Sequence, residues 1–166
     1  MFNLKFLTII FLLVASKLVF AAATVKINVT KEKGTGSPRG VIIIEETKYG
    51  LLFIPKLSQL RPGIHGFHVH EYANCGNNGK AAGGHFDPKK TKKHLGPYND
   101  RGHLGDLPAI YVNSDGTSTL PVLAPRLKTI SEIKGKSLMI HEGGDTYTNI
   151  PHLGGGGSRM ACGVIP

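Results

Sequence analysis

Short apolar, strand-like runs, one of them strictly alternating, cut repeatedly by glycine, proline, asparagine and aspartate, leave this chain few folds to choose from. In the stretch 24–30, TVKINVT, Val25, Ile27 and Val29 fall on one face of a strand and Lys26 and Asn28 on the other. VIIIEET and GLLFIPKL are joined through TKYG, which reads as a hairpin. GIHGFHVHE follows the turn Arg61-Pro62-Gly63. PAIYVN and TSTLPVL flank a second hairpin turn at Ser114-Asp115-Gly116, and SLMIHE and MACGVI complete the set. The pattern predicts no helix longer than a turn or two, with TISEIKG offering one short turn. About eight strands with no helical crossovers imply an antiparallel sandwich or flattened barrel.

The N-terminus stands outside that pattern. Lys5 precedes an apolar run from Phe6 to Ala15, and Val19 and Ala21 have the spacing read by signal peptidase. Residues 1–22 are therefore read as a secretory signal peptide and 23–166 as one domain. Lys17 interrupts the apolar stretch and argues against the alternative, a permanent membrane anchor. The segment carries Lys5 and Lys17 and no acids, so its removal takes the net charge from +9 to about +7. A basic surface attracts anions in general. With no tryptophan, few aromatics among the charges and no recognised motif, nucleic acid is not an expected partner. The only two cysteines, Cys75 and Cys162, are expected to pair in an oxidising compartment, two free thiols being the alternative.

Two segments lack strand character. Residues 72–107 form a long irregular stretch, of a length that in a compact domain is either functional or disordered. Gly143 to Arg159 contains the run Gly154 to Gly157, which lacks the Gly-Lys-Ser/Thr and the strand-to-helix setting of a phosphate-binding loop. It is either a linker or backbone that passes close to another part of the fold.

The histidines sharpen this reading. Six of the eight lie within residues 65–103, and His141 stands in SLMIHE. A lone strand histidine is ordinarily a hydrogen-bonded core residue; His65 is assigned that role, and His152 is assigned to the surface. His68 and His70 project from one face of a strand, with Phe67, Val69 and Glu71 on the other. His85, His94, His103 and Asp106, spaced nine, nine and three apart, make a closed set of three nitrogens and one oxygen suited to structural zinc. A polar loop gains from such an ion an order that no apolar core can give it. His68 and His70, joined by His141 from another strand, make a second, nitrogen-rich set suited to copper, with an open position for catalysis.

GFHVHE, GGHFDP, KHLGPYNDRGHLGDLPAIYV, VLAPRLK, GGGGSRMACGVI and the Cys75/Cys162 pair, in this order, resemble the copper/zinc superoxide dismutases, in particular their exported, periplasmic bacterial branch. The resemblance spans essentially the whole mature chain. It implies an all-β, eight-stranded antiparallel Greek-key sandwich or flattened barrel with a long metal-binding loop. It implies an oxidoreductase that converts superoxide to dioxygen and hydrogen peroxide by Cu(II)/Cu(I) cycling, with one copper and one zinc per chain and zinc structural. The implied copper ligands are His68, His70, His85 and His141, and the implied zinc ligands His85, His94, His103 and Asp106. His85 thus serves both ions and carries a proton, with Gly83 and Gly84 letting the chain turn before it. Asp145 is implied to hydrogen-bond ligands of both metals, and Arg159 to attract and orient the substrate anion. A Cys75–Cys162 disulfide would tie the strand of Arg159 to the metal-bearing loop. The resemblance also implies a periplasmic location with no stable membrane insertion after signal cleavage. No dimer interface is legible, and a homodimer is left open.

Lys89, Lys90, Lys92 and Lys93 in DPKKTKKH are either anion-steering or a solvated basic surface. TYTNIPHLGGGG has no formal charge apart from His152, so steering by a charged loop, as in the eukaryotic branch, is not carried over. The alternative function is a non-enzymatic copper/zinc-binding envelope protein, which would keep the histidines but have no use for Arg159. A zinc hydrolase would need a spare base beside the zinc set, which reads as closed.

Overall fold

The computed structural model describes residues 21–166; residues 1–20, and with them most of the expected signal peptide, lie outside the described residues. Among the described residues there are nine strands: β1 (Ala22–Thr30), β2 (Thr35–Thr47), β3 (Gly50–Leu57), β4 (Gly63–His65), β5 (Phe67–His70), β6 (Ile110–Val112), β7 (Val122–Ala124), β8 (Ser137–His141) and β9 (Arg159–Val164). Seven form one antiparallel sheet in the order β5-β8-β9-β1-β2-β3-β7, and β4 pairs with β6 in a second. The class is the all-β, antiparallel one expected.

The ninth strand arises because GIHGFHVHE is two strands. Gly66 leaves the β4 ladder and takes different partners, its N–H donating to the Gly143 carbonyl at 2.8 Å and its carbonyl accepting from His141 N–H at 2.9 Å. The expected Ser114-Asp115-Gly116 hairpin needs a second correction. The turn is present, with Gly116 N–H on the Asn113 carbonyl at 2.9 Å and Gly116 at φ +81°. Its two arms, however, are joined on the backbone only by Asn113 N–H on the Thr117 carbonyl at 2.8 Å and form no ladder beyond it: β6 goes to β4, whereas Ser118 crosses to Leu57 and β7 follows it along β3.

The strands sort their residues by alternation. Val25, Ile27, Ile42, Ile44, Leu51, Phe53, Phe67, Val69, Leu138 and Ile140 point into one fully buried core, where Phe53 and Phe67 meet edge to face at 5.6 Å. Each such side chain contributes about 1.5–3 kcal/mol through burial. The opposite face of β5 and β8 carries His68, His70, Met139 and His141. It is buried as well, beneath the irregular segments rather than beneath a second sheet. A disulfide joins Cys75 to Cys162 across a sequence separation of 87, and Ala82 and Met139 pack around it. Along β8–β9 the register shifts once: Ile140 faces Ala161, but His141 faces Arg159, leaving Met160 as an extra residue.

Candidate metal centre

The outer face of β5 is the base of the centre. Backbone bridges bring the long segment across it, His85 opposite His70 and Asp106 opposite His68. From the other side β8 supplies His141. The rings pack closely, His68 on His85 at 3.9 Å between centroids and His68 against His141 at 4.9 Å.

Two groups of four ligand atoms result, His68/His70/His85/His141 and His85/His94/His103/Asp106, with the atoms of each group within 4.8 Å of one another. All the residues predicted as ligands fall into these groups, and His85 belongs to both. Asp106 Oδ1 lies 2.9 Å from His85 Nδ1, 3.0 Å from His94 Nδ1 and 3.4 Å from His103 Nδ1. Its Oδ2 accepts the N–H groups of Leu95 and Gly96, each at 3.2 Å.

The remaining ring atoms show what the groups are fitted for. His68 Nδ1, His70 Nε2, His141 Nε2, His94 Nδ1 and His103 Nδ1 are buried with no hydrogen-bond partner. A buried polar atom without a partner is costly, and here all five converge within the two groups. Most of the opposite ring nitrogens are engaged. Asp145 accepts from His68 Nε2 and from His94 Nε2, both at 2.7 Å; the Gly83 carbonyl accepts from His70 Nδ1 at 3.0 Å, and the Gly157 carbonyl from His141 Nδ1 at 3.3 Å. In each of these rings one nitrogen is tied and the other turned inward, as metal ligation requires.

Burial, reinforced by the neighbouring rings, holds the pKa of His68 and His70 well below the ordinary imidazole value, and that of His141 down to about 4. Such rings are neutral with a lone pair to give. For His94 burial acts in the same direction, but the carboxylates of Asp106 and Asp145 outweigh it and hold the pKa up to about 9. Burial alone would raise both carboxyls, yet the histidines gathered around them hold them well below the usual carboxylate range. The first group is therefore a set of neutral donors, and the second favours a cation through its own anionic oxygen.

The surroundings explain the glycine run. A side-chain carbon at Gly154, at φ +75°, would collide with Asp145 Oδ1 and lie 2.7 Å from His94 Nε2; at Gly156 it would lie 3.1 Å from the His141 ring. The run is backbone in close approach, not a linker. Arg159 donates to the Gly79 carbonyl at 2.6 Å and to the Gly83 carbonyl at 2.7 Å, so its guanidinium is fixed to the segment that leads to His85. It lines a recess of about 610 Å³ together with Thr30, Asn78, Lys80, Gly157 and Ser158. His65 is buried, with its ring 2.7 Å from the carbonyls of both Arg61 and His141, the supporting role read from the sequence.

Lys89, Lys90, Lys92 and Lys93 are exposed, and Lys89 opens on a different concavity, with Tyr98, Arg126 and Lys128. The cation beside Arg159 is Lys80, which the sequence reading passed over. It also passed over Tyr147 and Asn149. Tyr147 Oη accepts Ala109 N–H at 2.8 Å, its N–H donates to Asp145 Oδ1 at 2.8 Å, and Asn149 Oδ1 accepts His94 N–H at 3.1 Å. The Tyr147 N–H contact is local, two residues from Asp145, but the other two join segments 38 and 55 residues apart, which no local pattern marks.

Comparison with known proteins gives a consistent result. Residues 38–165 match the family model described as copper/zinc superoxide dismutase (SODC). A Salmonella typhimurium protein named as a Cu-Zn superoxide dismutase is 57% identical over an alignment covering 92% of this chain and 95% of that protein. The solved structure titled Cu/Zn superoxide dismutase from Brucella abortus superposes with a TM-score of 0.83 at 47% identity, covering 88% of this chain and 100% of that one. A solution structure titled as the monomeric copper, zinc superoxide dismutase from Salmonella enterica gives a TM-score of 0.78 at 49% identity, with the same coverage of 88% and 100%.

Proposed function

The chain belongs to the copper/zinc superoxide dismutase family, and from that premise we propose that His68, His70, His85 and His141 hold its copper and His85, His94, His103 and Asp106 its zinc. The protein is an oxidoreductase that converts superoxide to dioxygen and hydrogen peroxide, with one copper and one zinc per chain. One observation carries the ligand assignment: five buried ring nitrogens without partners divide three to the first group and two to the second. When bound, copper supplies one-electron exchange between Cu(II) and Cu(I), while zinc has no redox chemistry of its own.

The remaining work falls to the side chains. Asp145 accepts from Nε2 of both His68 and His94, so each ring keeps its Nδ1 lone pair for a metal. His85 keeps Nδ1 against Asp106, which leaves Nε2 as the atom that can hold a proton and deliver it to reduced substrate. Arg159, its side chain fixed by two carbonyls, offers a positive charge to a small anion entering the recess. A metal-storage protein, the alternative reading, has no use for that arrangement. Residues 1–22 act as a signal peptide that directs the chain to the periplasm; N-terminal sequencing of the mature protein, with a start near residue 23 expected, tests that part.

Two variants test the ligand assignment by metal analysis. His141→Ala loses copper and keeps zinc, and His103→Ala does the reverse. Loss of the other metal first, in either variant, overturns the assignment.

A further inference from the structure

Of the motifs quoted from the sequence, VLAPRLK is absorbed by neither metal group. Its arginine follows β7 by two residues and is partly buried. Arg126 Nε donates to the Pro97 carbonyl at 3.0 Å, Nη1 donates to the carbonyls of Gly102 at 3.3 Å and of Asn99, and Nη2 donates to that of His103. Four carbonyls of one seven-residue stretch thus converge on a single guanidinium. We propose that Arg126 is a positioning residue for the zinc group; the proposal rests on the reading of His94, His103 and Asp106 as zinc ligands.

The stretch in question joins His94 to His103 and contains no strand. Two backbone bonds brace it, His103 N–H to the Lys93 carbonyl at 2.9 Å and Gly102 N–H to the Asn99 carbonyl at 3.1 Å, and two side chains of opposite charge shape the rest. On the amide side, Leu95 and Gly96 donate to Asp106 Oδ2. On the carbonyl side, oxygens that would repel one another if brought together are gathered by Arg126. Only arginine carries five donors in one rigid plane; lysine has three on one atom and cannot reach carbonyls spread over a loop. The root of the side chain is firm. Ala124 pairs with Leu51 in β3, Leu51 N–H donates to the Leu127 carbonyl at 3.0 Å, and Ala124 and Leu127 both lie in the main core. Arg126 therefore carries the position of the sheet to the His103 backbone, and its removal leaves that position to the His103 N–H bond on Lys93 at 2.9 Å and the longer Asp106 N–H bond on the His103 carbonyl at 3.4 Å.

The test compares zinc release from the holoenzyme to a chromogenic chelator in Arg126→Ala, Arg126→Lys, Lys128→Ala and His103→Ala. The expected result is release at least about tenfold faster in Arg126→Ala, the lower end of what losing a support beneath a ligand costs. Arg126→Lys recovers only part of the loss. Copper release is unchanged, and the ligand-field bands of protein carrying cobalt in the zinc position are shifted. Lys128→Ala releases zinc as the unmodified protein does, because its Nζ meets only the Pro125 carbonyl. Unchanged zinc release in Arg126→Ala, with rapid loss in His103→Ala, overturns the proposal and leaves the ligand assignment standing. Zinc retention in His103→Ala overturns the assignment itself. Equal acceleration of copper and zinc release also overturns the proposal, since Arg126 would then support the domain as a whole. If Arg126→Ala does not fold, unchanged zinc release in Arg126→Lys is the overturning result.

Discussion

The two ligand groups share one residue and are built by different means. Three members of the copper-side group, His68, His70 and His141, stand on neighbouring strands of the large sheet, in a register held by Phe67 opposite Ile140 and His70 opposite Ser137. All four members of the zinc-side group stand in the irregular connection between β5 and β6; isolated backbone bridges tie His85 and Asp106 to β5, but no strand carries His94 or His103. The first is placed by backbone pairing before any ion arrives. The second depends on side chains reaching across loops, Asp106 and Arg126 above all, and on the ion it binds. A centre that must change redox state gains from a stiff base, and an ion that only holds a loop can afford a floor made of loop.

The most severe way to break this contrast is to remove the shared ring. His85→Ala is expected to cost roughly 10³-fold in superoxide consumption and to lower the content of both metals, measured by stopped-flow decay and metal analysis. If zinc content stays full, His85 is not common to both groups. Next in size is the second link between them. Asp145→Asn should weaken zinc retention by about 10- to 100-fold, because a carboxylate accepting from two rings becomes an amide that accepts only through its oxygen. Gly154→Ala should act in the same direction, by pushing Asp145 aside; an unchanged zinc affinity would mean the glycine run moves freely.

Zinc removal sharpens the contrast without mutation. Amide exchange in residues 87–106 is expected to rise by about an order of magnitude, while β5 and β8 stay protected, as read by hydrogen exchange with mass spectrometry. Equal loss in both regions would show that the strands depend on zinc too. The smallest expected effect concerns charge. Lys80→Glu should slow the reaction a few-fold at low salt and flatten its dependence on ionic strength, and Lys89→Glu should do less, because only Lys80 shares the recess of Arg159. Equal effects of the two would place steering in the overall charge.

What could be read from residues alone follows the same division. The pattern of short apolar runs between turn residues located β1, β3, β8 and β9 almost to the residue, with strict period-two alternation in β1. It could not say that GIHGFHVHE breaks at Gly66, since that break depends on Gly143 and His141 lying opposite. Nor could it separate the arms of the turn at Ser114, because alternation fixes which face a residue takes and not which strand it meets. The histidines and Asp106 were legible through their number and residue type. The residues that hold them, Tyr147, Asn149 and Arg126, were not, because a tyrosine or arginine bonding distant carbonyls and amides looks like any other surface residue until the chain is folded.

The extra residue at Met160 has a consequence that can be put as one of parity. On a regular strand, residues an odd number of positions apart face opposite ways, so Arg159 and Cys162 would be on opposite sides of β9. The register shift makes two consecutive residues, Met160 and Ala161, both turn to the core, and Arg159 and Cys162 come out on the same side. Both then reach the same short arc of chain, Cys162 through its bond to Cys75 and Arg159 through the carbonyls of Gly79 and Gly83. Were β9 regular with every residue kept, Met160 would stand opposite His141 and the arginine would be turned away from the recess it serves.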